Sequence, residues 1–319
     1  MILENLKQRN NQLLNQITTA ERDSNYDELI KLKRETYENK LKMLDLVEAK
    51  NKKNSISARD LIEKVKNKPK AIRYETGLHY LDSNLKENFH DTTGGIEVGS
   101  LILFGGQSGA GKTTITLDLA ANISKYSKCV LFNLEMGERR IVTRLQKLLK
   151  EPQQLDNFTI NSESRDLNDL LMEITLLADE GIKFFAIDSR MKIEMKDNIP
   201  EFQKNSLITK KLSEVAIKND IIIVLINQIS EENLKTNTLA FKGSGDQLYD
   251  ADIALFLVIN EDGTRTIICK KNRTGNEALF TEQLPAIEDP QTFYQNKEGK
   301  YTAAPNVVET EYTVDMSIL

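Results

Sequence analysis

Nine residues constrain this chain more than any other stretch: Gly106, Gln107, Ser108, Gly109, Ala110, Gly111, Lys112, Thr113 and Thr114. The first eight fit G-x-x-x-x-G-K-[ST], the phosphate-loop pattern, and the apolar run Leu101-Ile102-Leu103-Phe104 leads into it as a strand. Lys112 onward reads as a helix, so the order is strand, glycine loop, helix, which is the context the motif requires. Glycines at 106, 109 and 111 let backbone N–H groups turn inward on a triphosphate, which then sits at a helix N-terminus where the dipole favours anions. In that arrangement Lys112 reaches the β/γ-phosphates of ATP and the Thr113 hydroxyl ligates Mg²⁺. The pattern therefore predicts a nucleoside triphosphate site over 106–114.

From Tyr74 onward, strand-like and helical runs alternate. Strands are expected at Leu101 to Phe104, Cys129 to Leu134, Lys183 to Ile187 and Ile221 to Asn227. Helical patterns lie at Thr113 to Ser127, Glu138 to Leu149, Leu167 to Asp179 and Glu201 to Lys218. Fully apolar strands alternating with helices imply an α/β fold with a mostly parallel sheet covered on both faces. Two further runs, Ile253 to Asn260 and Thr264 to Cys269, flank Glu261-Asp262-Gly263, a hairpin signal that adds antiparallel edge strands.

Composition narrows the chemistry. His79 and His90 are the only histidines, which argues against a zinc site or a Ser-His-Asp triad, and Cys129 and Cys269 each fall inside an expected strand as small core residues. The longest aliphatic run, Ile221 to Ile226, is far short of a membrane span, and the start Met1-Ile2-Leu3-Glu4-Asn5 lacks a signal-peptide pattern, so a cytoplasmic location without membrane contact is expected. Residues 1 to 70 hold 16 Lys+Arg and 11 Asp+Glu, a balance of +5; the chain totals of 43 and 48 then leave 27 and 37 for the rest, or −10. Nucleic-acid contact in the acidic remainder must come from local loops.

The basic front segment has its own pattern. Leu3, Leu6, Asn10, Leu13, Ile17 and Ala20 form a heptad seam, and after Asp23-Ser24-Asn25 a second helical stretch carries Ile30, Tyr37 and Leu44 seven apart with Leu41 on the same stripe. Residues 1–53 are therefore expected to be an α-helical hairpin serving as an oligomerisation collar. Residues 54–73 read as a linker with a short docking helix that Ser57 caps; 74–290 form the α/β domain, and 291–319 a C-terminal extension ending in a mobile acidic tail.

Hydrolysis needs more than a phosphate loop: a second carboxylate for the metal, a group that orients water, and a cation for the developing charge. Phe184-Phe185-Ala186-Ile187-Asp188 is an apolar strand ending in aspartate, the Walker B form, which places Asp188 beside Mg²⁺. Glu135 ends the Cys129 to Leu134 strand and can polarise the attacking water; Gln228 ends the next and can sense the γ-phosphate. Parallel strands present their C-terminal ends together, where ligands bind in such sheets.

With these residues in place, the stretch from Thr76 to about Gly275 resembles the motor domain of DnaB-type replicative helicases, within the RecA-like ATPases. Thr76-Gly77, Leu81-Asp82, Gly94-Gly95 and Gly99 are similar to the segment that precedes the family's phosphate loop, and Leu134-Glu135-Met136 to its strand ending in the catalytic glutamate. Arg144 falls where the family often has an arginine. Asn227-Gln228 resembles the Ser-Gln motif that links nucleotide state to DNA loops. Lys242-Gly243-Ser244-Gly245, followed by Asp250-Ala251-Asp252, resembles the segment that tracks one DNA strand, which implies that Lys242 and the N–H groups of Gly243, Ser244 and Gly245 contact phosphates. Lys270 to Gly275 looks like the family's K-x-R-x-G hairpin, implying Lys271 and Arg273 as fingers that reach a neighbouring subunit's nucleotide.

The resemblance thus implies a ring-forming, ATP-driven helicase translocating on single-stranded DNA, a homo-oligomer and in this family a hexamer, with primase, polymerase or other replisome proteins as further partners. Departures are equally specific. Ser189-Arg190 follows Asp188 where the helicases usually carry Tyr-Leu, and Asp-Ser is closer to recombinases and clock-type relatives. The first 53 residues do not resemble the family's globular N-terminal domain. Two alternatives stay open: a RecA- or RadA-like recombination ATPase, and an ATP-switched protein-assembly ATPase of the clock or partitioning type.

Overall fold

The computed structural model describes residues 2–22, 25–50, 56–66, 71–77, 79–83, 85, 94–195, 199–229, 239–241, 247–273, 281–284 and 307–310. The chain divides into two units, 1–69 and 70–319.

In the first unit, α1 (Ile2–Arg22) and α2 (Tyr26–Lys50) pair as the hairpin that the heptads predict, and α3 (Ala58–Lys66) follows. Asn25 Oδ1 accepts the backbone N–H of Glu28 at 3.2 Å and starts α2; Ser57 Oγ accepts that of Asp60 at 3.1 Å and starts α3. Leu13, Ala20 and Leu32 are buried together, with Ile17 and Leu29 packed against them. On α1 the stripe residues Leu13, Ile17 and Ala20 face the seam; on α2 Ile30 and Leu41 do not. Ile30 and Leu41 are 53% and 40% exposed, while Leu32, Thr36 and Asn39 are buried. Thr36 packs inward because its hydroxyl donates to the Leu32 carbonyl at 2.9 Å, leaving an apolar methyl outward from its own backbone. Arg9 grips Glu35 through two bonds of 2.8 and 3.0 Å beside this seam, raising the arginine and lowering the glutamate titration through that bond.

The second unit is built on an eight-stranded sheet. Its strands are β3 (Ser100–Gly106), β4 (Cys129–Asn133), β5 (Phe158–Asn161), β6 (Phe184–Asp188), β7 (Ile222–Ile226), β8 (Ile253–Ile259), β9 (Arg265–Asn272) and β10 (Thr281–Leu284). The order is β10-β9-β8-β3-β7-β6-β4-β5; β5 to β8 are mutually parallel and β9 and β10 antiparallel. Alternate side chains go to opposite faces. Ile102 and Phe104 pack with Ile115 and Leu119 of α5 (Lys112–Ile123) and Ile141 of α6 (Glu138–Leu148). Leu101 and Leu103 pack with Leu170 and Ile174 of α8 (Leu167–Asp179) and Ile208 and Leu212 of α9 (Glu201–Asn219). The short α7 (Pro152–Asn157) precedes β5, an edge strand absent from the sequence reading, where Thr159 and Ile160 are exposed. Cys129 and Cys269 are buried free thiols, as expected.

A second, three-stranded antiparallel sheet has the order β11-β1-β2, with β1 (Ala71–Tyr74), β2 (Ile96–Glu97) and β11 (Val307–Thr310). It corrects two expectations. Residues 71–73, assigned to the linker, are strand, and Val307–Thr310, assigned to a mobile tail, pair with β1 in register Tyr74↔Val307 to Ala71↔Thr310. Arg73 anchors this sheet from within: it is 3% exposed, pairs with Glu97 at 2.7 Å and donates to the carbonyls of Leu85 and Gly95. The rest of 291–319 lies outside the described residues. Two short helices, α4 (His79–Asp82) and α10 (Gln247–Asp250), complete the second unit.

Candidate nucleotide site

Strand β3 ends at Gly106 and α5 begins at Lys112, so the phosphate loop spans the turn between them at the C-terminal edge of the parallel sheet. Gly109 and Gly111 take φ of +77° and +105°, the left-handed region that a side chain resists, and this lets the loop fold back toward the helix start. Gln107, Ser108 and Thr114 line the loop and first helical turn without full burial, while Ala110 is buried beneath. Lys112 Nζ donates to the carbonyls of Gly106 at 2.9 Å and Gln107 at 2.7 Å, which holds the ammonium across the loop mouth.

Asp188 ends β6, which lies one strand beyond β7 from β3. Its Oδ2 accepts the Thr113 hydroxyl at 2.7 Å. A hydroxyl and a carboxylate oxygen at that separation fit a small hard cation, and these oxygen donors are of the kind that would hold Mg²⁺. No cluster of three or more His, Cys, Asp or Glu that could hold a metal by itself occurs among the described residues. Burial raises the titration of Asp188, and Glu135 adds to this, while the Thr113 hydrogen bond, Lys112 and Arg144 oppose it. Burial lowers that of Lys112, against the pull of Asp188 and Glu135. The site thus holds two carboxylates and a half-buried ammonium that influence one another, with Arg144 of α6 adding charge from one side.

Glu135 follows β4 and is exposed, and the Ser189 hydroxyl donates to its Oε2 at 2.9 Å. Gln228 follows β7, with its backbone N–H bonded to Asn227 Oδ1 at 2.9 Å. The structure therefore brings Gly106 to Thr114, Asp188, Glu135 and Gln228 to one edge. It does not bring Lys271 or Arg273 there. Because β9 runs antiparallel to β8, its end meets the start of β8: Arg273 N–H bonds to the Asp252 carbonyl, and Asp252 N–H to that of Leu101. Leu101 is five residues before Gly106, roughly 15–20 Å along a strand at about 3.3 Å per residue. Arg273 is exposed at that far edge. Lys271 Nζ donates to the carbonyls of Leu248 and Tyr249 within α10. Lys242, Gly243, Ser244 and Gly245 lie outside the described residues.

One contributor has no signature in the sequence. At the opposite end of β9, Arg265 Nε donates to the Ala110 carbonyl at 2.8 Å, bracing the phosphate loop from 155 positions away. Only strand register puts it there: Arg265 pairs with Ile259 and Leu257 with Gly106.

Fold and site together define a RecA-like α/β fold that carries a phosphate-loop motif: the phosphate-loop strand and the strand ending in Asp188 are separated by one strand, and a glutamate is presented by the strand beyond. Residues 81–170 match the family model described as the DnaB-like helicase C-terminal domain, which upholds the resemblance read from the sequence. A curated relative, the replicative DNA helicase DnaB of Treponema pallidum (strain Nichols), is 26% identical over 243 residues, covering 66% of this chain and 53% of the relative. The DNA repair protein RadA of Escherichia coli (strain K12) is 24% identical over 252 residues, covering 74% and 49%. The chain spans about half the length of these two relatives. A solved structure titled as a DnaB-like replicative helicase and its interactions with primase superposes with a TM-score of 0.59 at 17% identity, over 89% of this chain and 74% of that one. No helix among the described residues is long and apolar enough to cross a membrane.

Proposed function

We propose that this chain is the motor of a ring-forming replicative DNA helicase, which couples ATP hydrolysis to translocation on single-stranded DNA. The observation that carries the reading is the division of the machinery between two edges of one sheet. Phosphate loop, Asp188, Glu135 and Gln228 share the C-terminal edge, whereas Arg273 stands exposed at the other, out of reach of its own chain's nucleotide. With Arg273 turned away from its own phosphate loop, an arginine finger reaches the site from the next subunit of a closed ring, for which six subunits are the family's number.

In this reading Lys112 and the loop N–H groups bind the triphosphate, and Thr113 and Asp188 would hold Mg²⁺, which would supply charge neutralisation on the phosphates. Glu135 accepts a proton from the attacking water at its carboxylate, and Gln228 reports the γ-phosphate. Lys242 to Gly245 contact DNA phosphates, giving binding that is salt-dependent and indifferent to base sequence. The helical hairpin of residues 1–53 acts as the oligomerisation collar, and replisome proteins such as a primase are the partner class.

ATP turnover with and without single-stranded DNA, on protein whose mass in solution is recorded in the same buffer, tests the proposal. Strong stimulation of a six-subunit species is expected. Turnover by a well-folded oligomer that ignores DNA would remove the translocase and favour a protein-assembly ATPase. The Asp188-Ser189 pair and the RadA relative favour a second reading, a recombination ATPase; helical filaments in place of closed rings on single-stranded DNA would establish it.

A further inference from the structure

Ser189 and Arg190, the pair that departs from the helicase pattern, are chain neighbours whose side chains join a part-buried hydrogen bond to Glu135 with a buried series leading away from it. Ser189, 1% exposed, donates to Glu135. Next in the chain, Arg190 is 2% exposed and its Nε donates to Asn227 Oδ1 at 2.8 Å, with a second guanidinium nitrogen on Asn205 Oδ1. Asn227 in turn donates through Nδ2 to Gln247 Oε1 at 2.6 Å; Asn227 and Gln247 are fully buried. Gln247 opens α10, whose Asp250 accepts from Thr209 Oγ1 at 2.9 Å and whose Leu248 and Tyr249 carbonyls hold Lys271. The line therefore runs Glu135, Ser189, Arg190, Asn227, Gln247, across the ends of β4, β6 and β7 to α10.

We propose that Ser189 and Arg190 are positioning residues which set the orientation of Glu135 according to the position of α10. A carboxylate oxygen that accepts a hydroxyl proton has that lone pair occupied and is held toward the donor, so it is not free to take up a water. Ser189 thus restrains Glu135 in the resting chain. Arg190 cannot shift without Asn227, nor Asn227 without Gln247, since each is enclosed and each bond left unmade costs its desolvation. Displacement of α10 withdraws Ser189 and frees Glu135 for water. The inference rests on the helicase reading for the identity of Glu135 as base and of single-stranded DNA as the ligand that moves α10; the line of contacts stands apart from both.

The test compares wild type, Ser189→Ala, Ser189→Thr, Gln247→Leu and the double variant Ser189→Ala/Gln247→Leu in steady-state ATP hydrolysis, with and without an oligothymidylate. Fluorescent ATP-analogue binding and a melting curve check that each is folded. Ser189→Ala is expected to raise the DNA-free kcat roughly tenfold, the scale of one hydrogen bond to a charged group, with analogue affinity unchanged and DNA stimulation reduced by the same factor. Ser189→Thr keeps the hydroxyl and should behave as wild type. Adding Gln247→Leu to Ser189→Ala should raise kcat no further, whereas unconnected sites multiply their effects. A DNA-free kcat in Ser189→Ala that is unchanged or lower, or effects of the two substitutions that multiply, would overturn the relay. If wild type shows no stimulation by DNA, the helicase reading fails alone, and the DNA-free comparison of the two single variants with the double still decides the relay. Should Gln247→Leu not fold, the Ser189→Ala and Ser189→Thr contrast decides.

Discussion

Phe241 offers a measurement of how tightly the end of β3 is tied to the chain crossing above it. Its ring is 2% exposed, stacked on Phe256 with centroids 4.5 Å apart and planes at 24°, and its backbone makes an isolated antiparallel bridge with Ile229. The ring also lies against Gly105: a Cβ there would stand 2.6 Å from Phe241 Cε1, a distance that cannot be tolerated without displacing the ring. Phe241→Ala removes a buried ring and leaves a cavity, at a cost of about 3–5 kcal/mol, of which about 0.5–1.5 kcal/mol is the aromatic pair. At about 2–4 °C per kcal/mol for a unit of this size, the melting temperature should fall by roughly 6–20 °C. Phe241→Leu should lose less than about 1.5 kcal/mol. Gly105→Ala alone should cost about 1–3 kcal/mol by overpacking, yet in the Phe241→Ala background the cost should fall, leaving only the crowding of the new methyl against Phe256 Cδ1 at 3.1 Å. Calorimetry on the four proteins gives the coupling directly. A loss under about 1 kcal/mol for Phe241→Ala, or strict additivity of the two changes, would refute the packing argument.

The other expectations concern the site and its entrance. Lys112→Ala should abolish nucleotide turnover, read by phosphate release. Glu135→Gln should lower kcat by roughly 10²–10⁴-fold while a fluorescent ATP analogue still binds; near-normal turnover would remove Glu135 as base. Arg273→Ala should retain nucleotide binding and lose roughly 10³-fold or more in hydrolysis, with activity partly restored by mixing in Lys112→Ala subunits that supply the arginine; normal turnover would end the trans assignment. Asp82 accepts the N–H groups of Thr76 and Gly77 at 2.8 and 2.9 Å, and burial pushes its carboxyl from 3.8 up to about 7. The folded chain then holds a proton that the unfolded chain has released, so the stabilisation is complete below about pH 4 and is lost as pH rises toward 7. Melting temperatures of wild type, relative to Asp82→Asn, should fall across that window; parallel curves would contradict it.

How much of this was legible beforehand depends on how far apart the interacting residues lie. The phosphate loop, the apolar strands and the acidic or amide residue ending each were readable because each is set by neighbours a few positions away, and because parallel strands of one sheet present the same ends to one edge. That logic put Asp188, Glu135 and Gln228 at the same sheet edge as Thr113 without coordinates. It failed on α2, where Thr36 turns inward by satisfying its own hydroxyl, and on β1 and β11, whose partners are more than 200 positions apart. By itself, then, the sequence determined a nucleotide loop in a parallel α/β sheet and the residues most able to serve it. Tertiary structure alone decided that Ser189 holds Glu135, that Arg265 braces the loop, that Lys271 is engaged by α10 and that Arg273 leaves from the opposite edge. Those contacts depend on strand register and burial, which bring together side chains whose spacing along the chain carries no trace of their meeting.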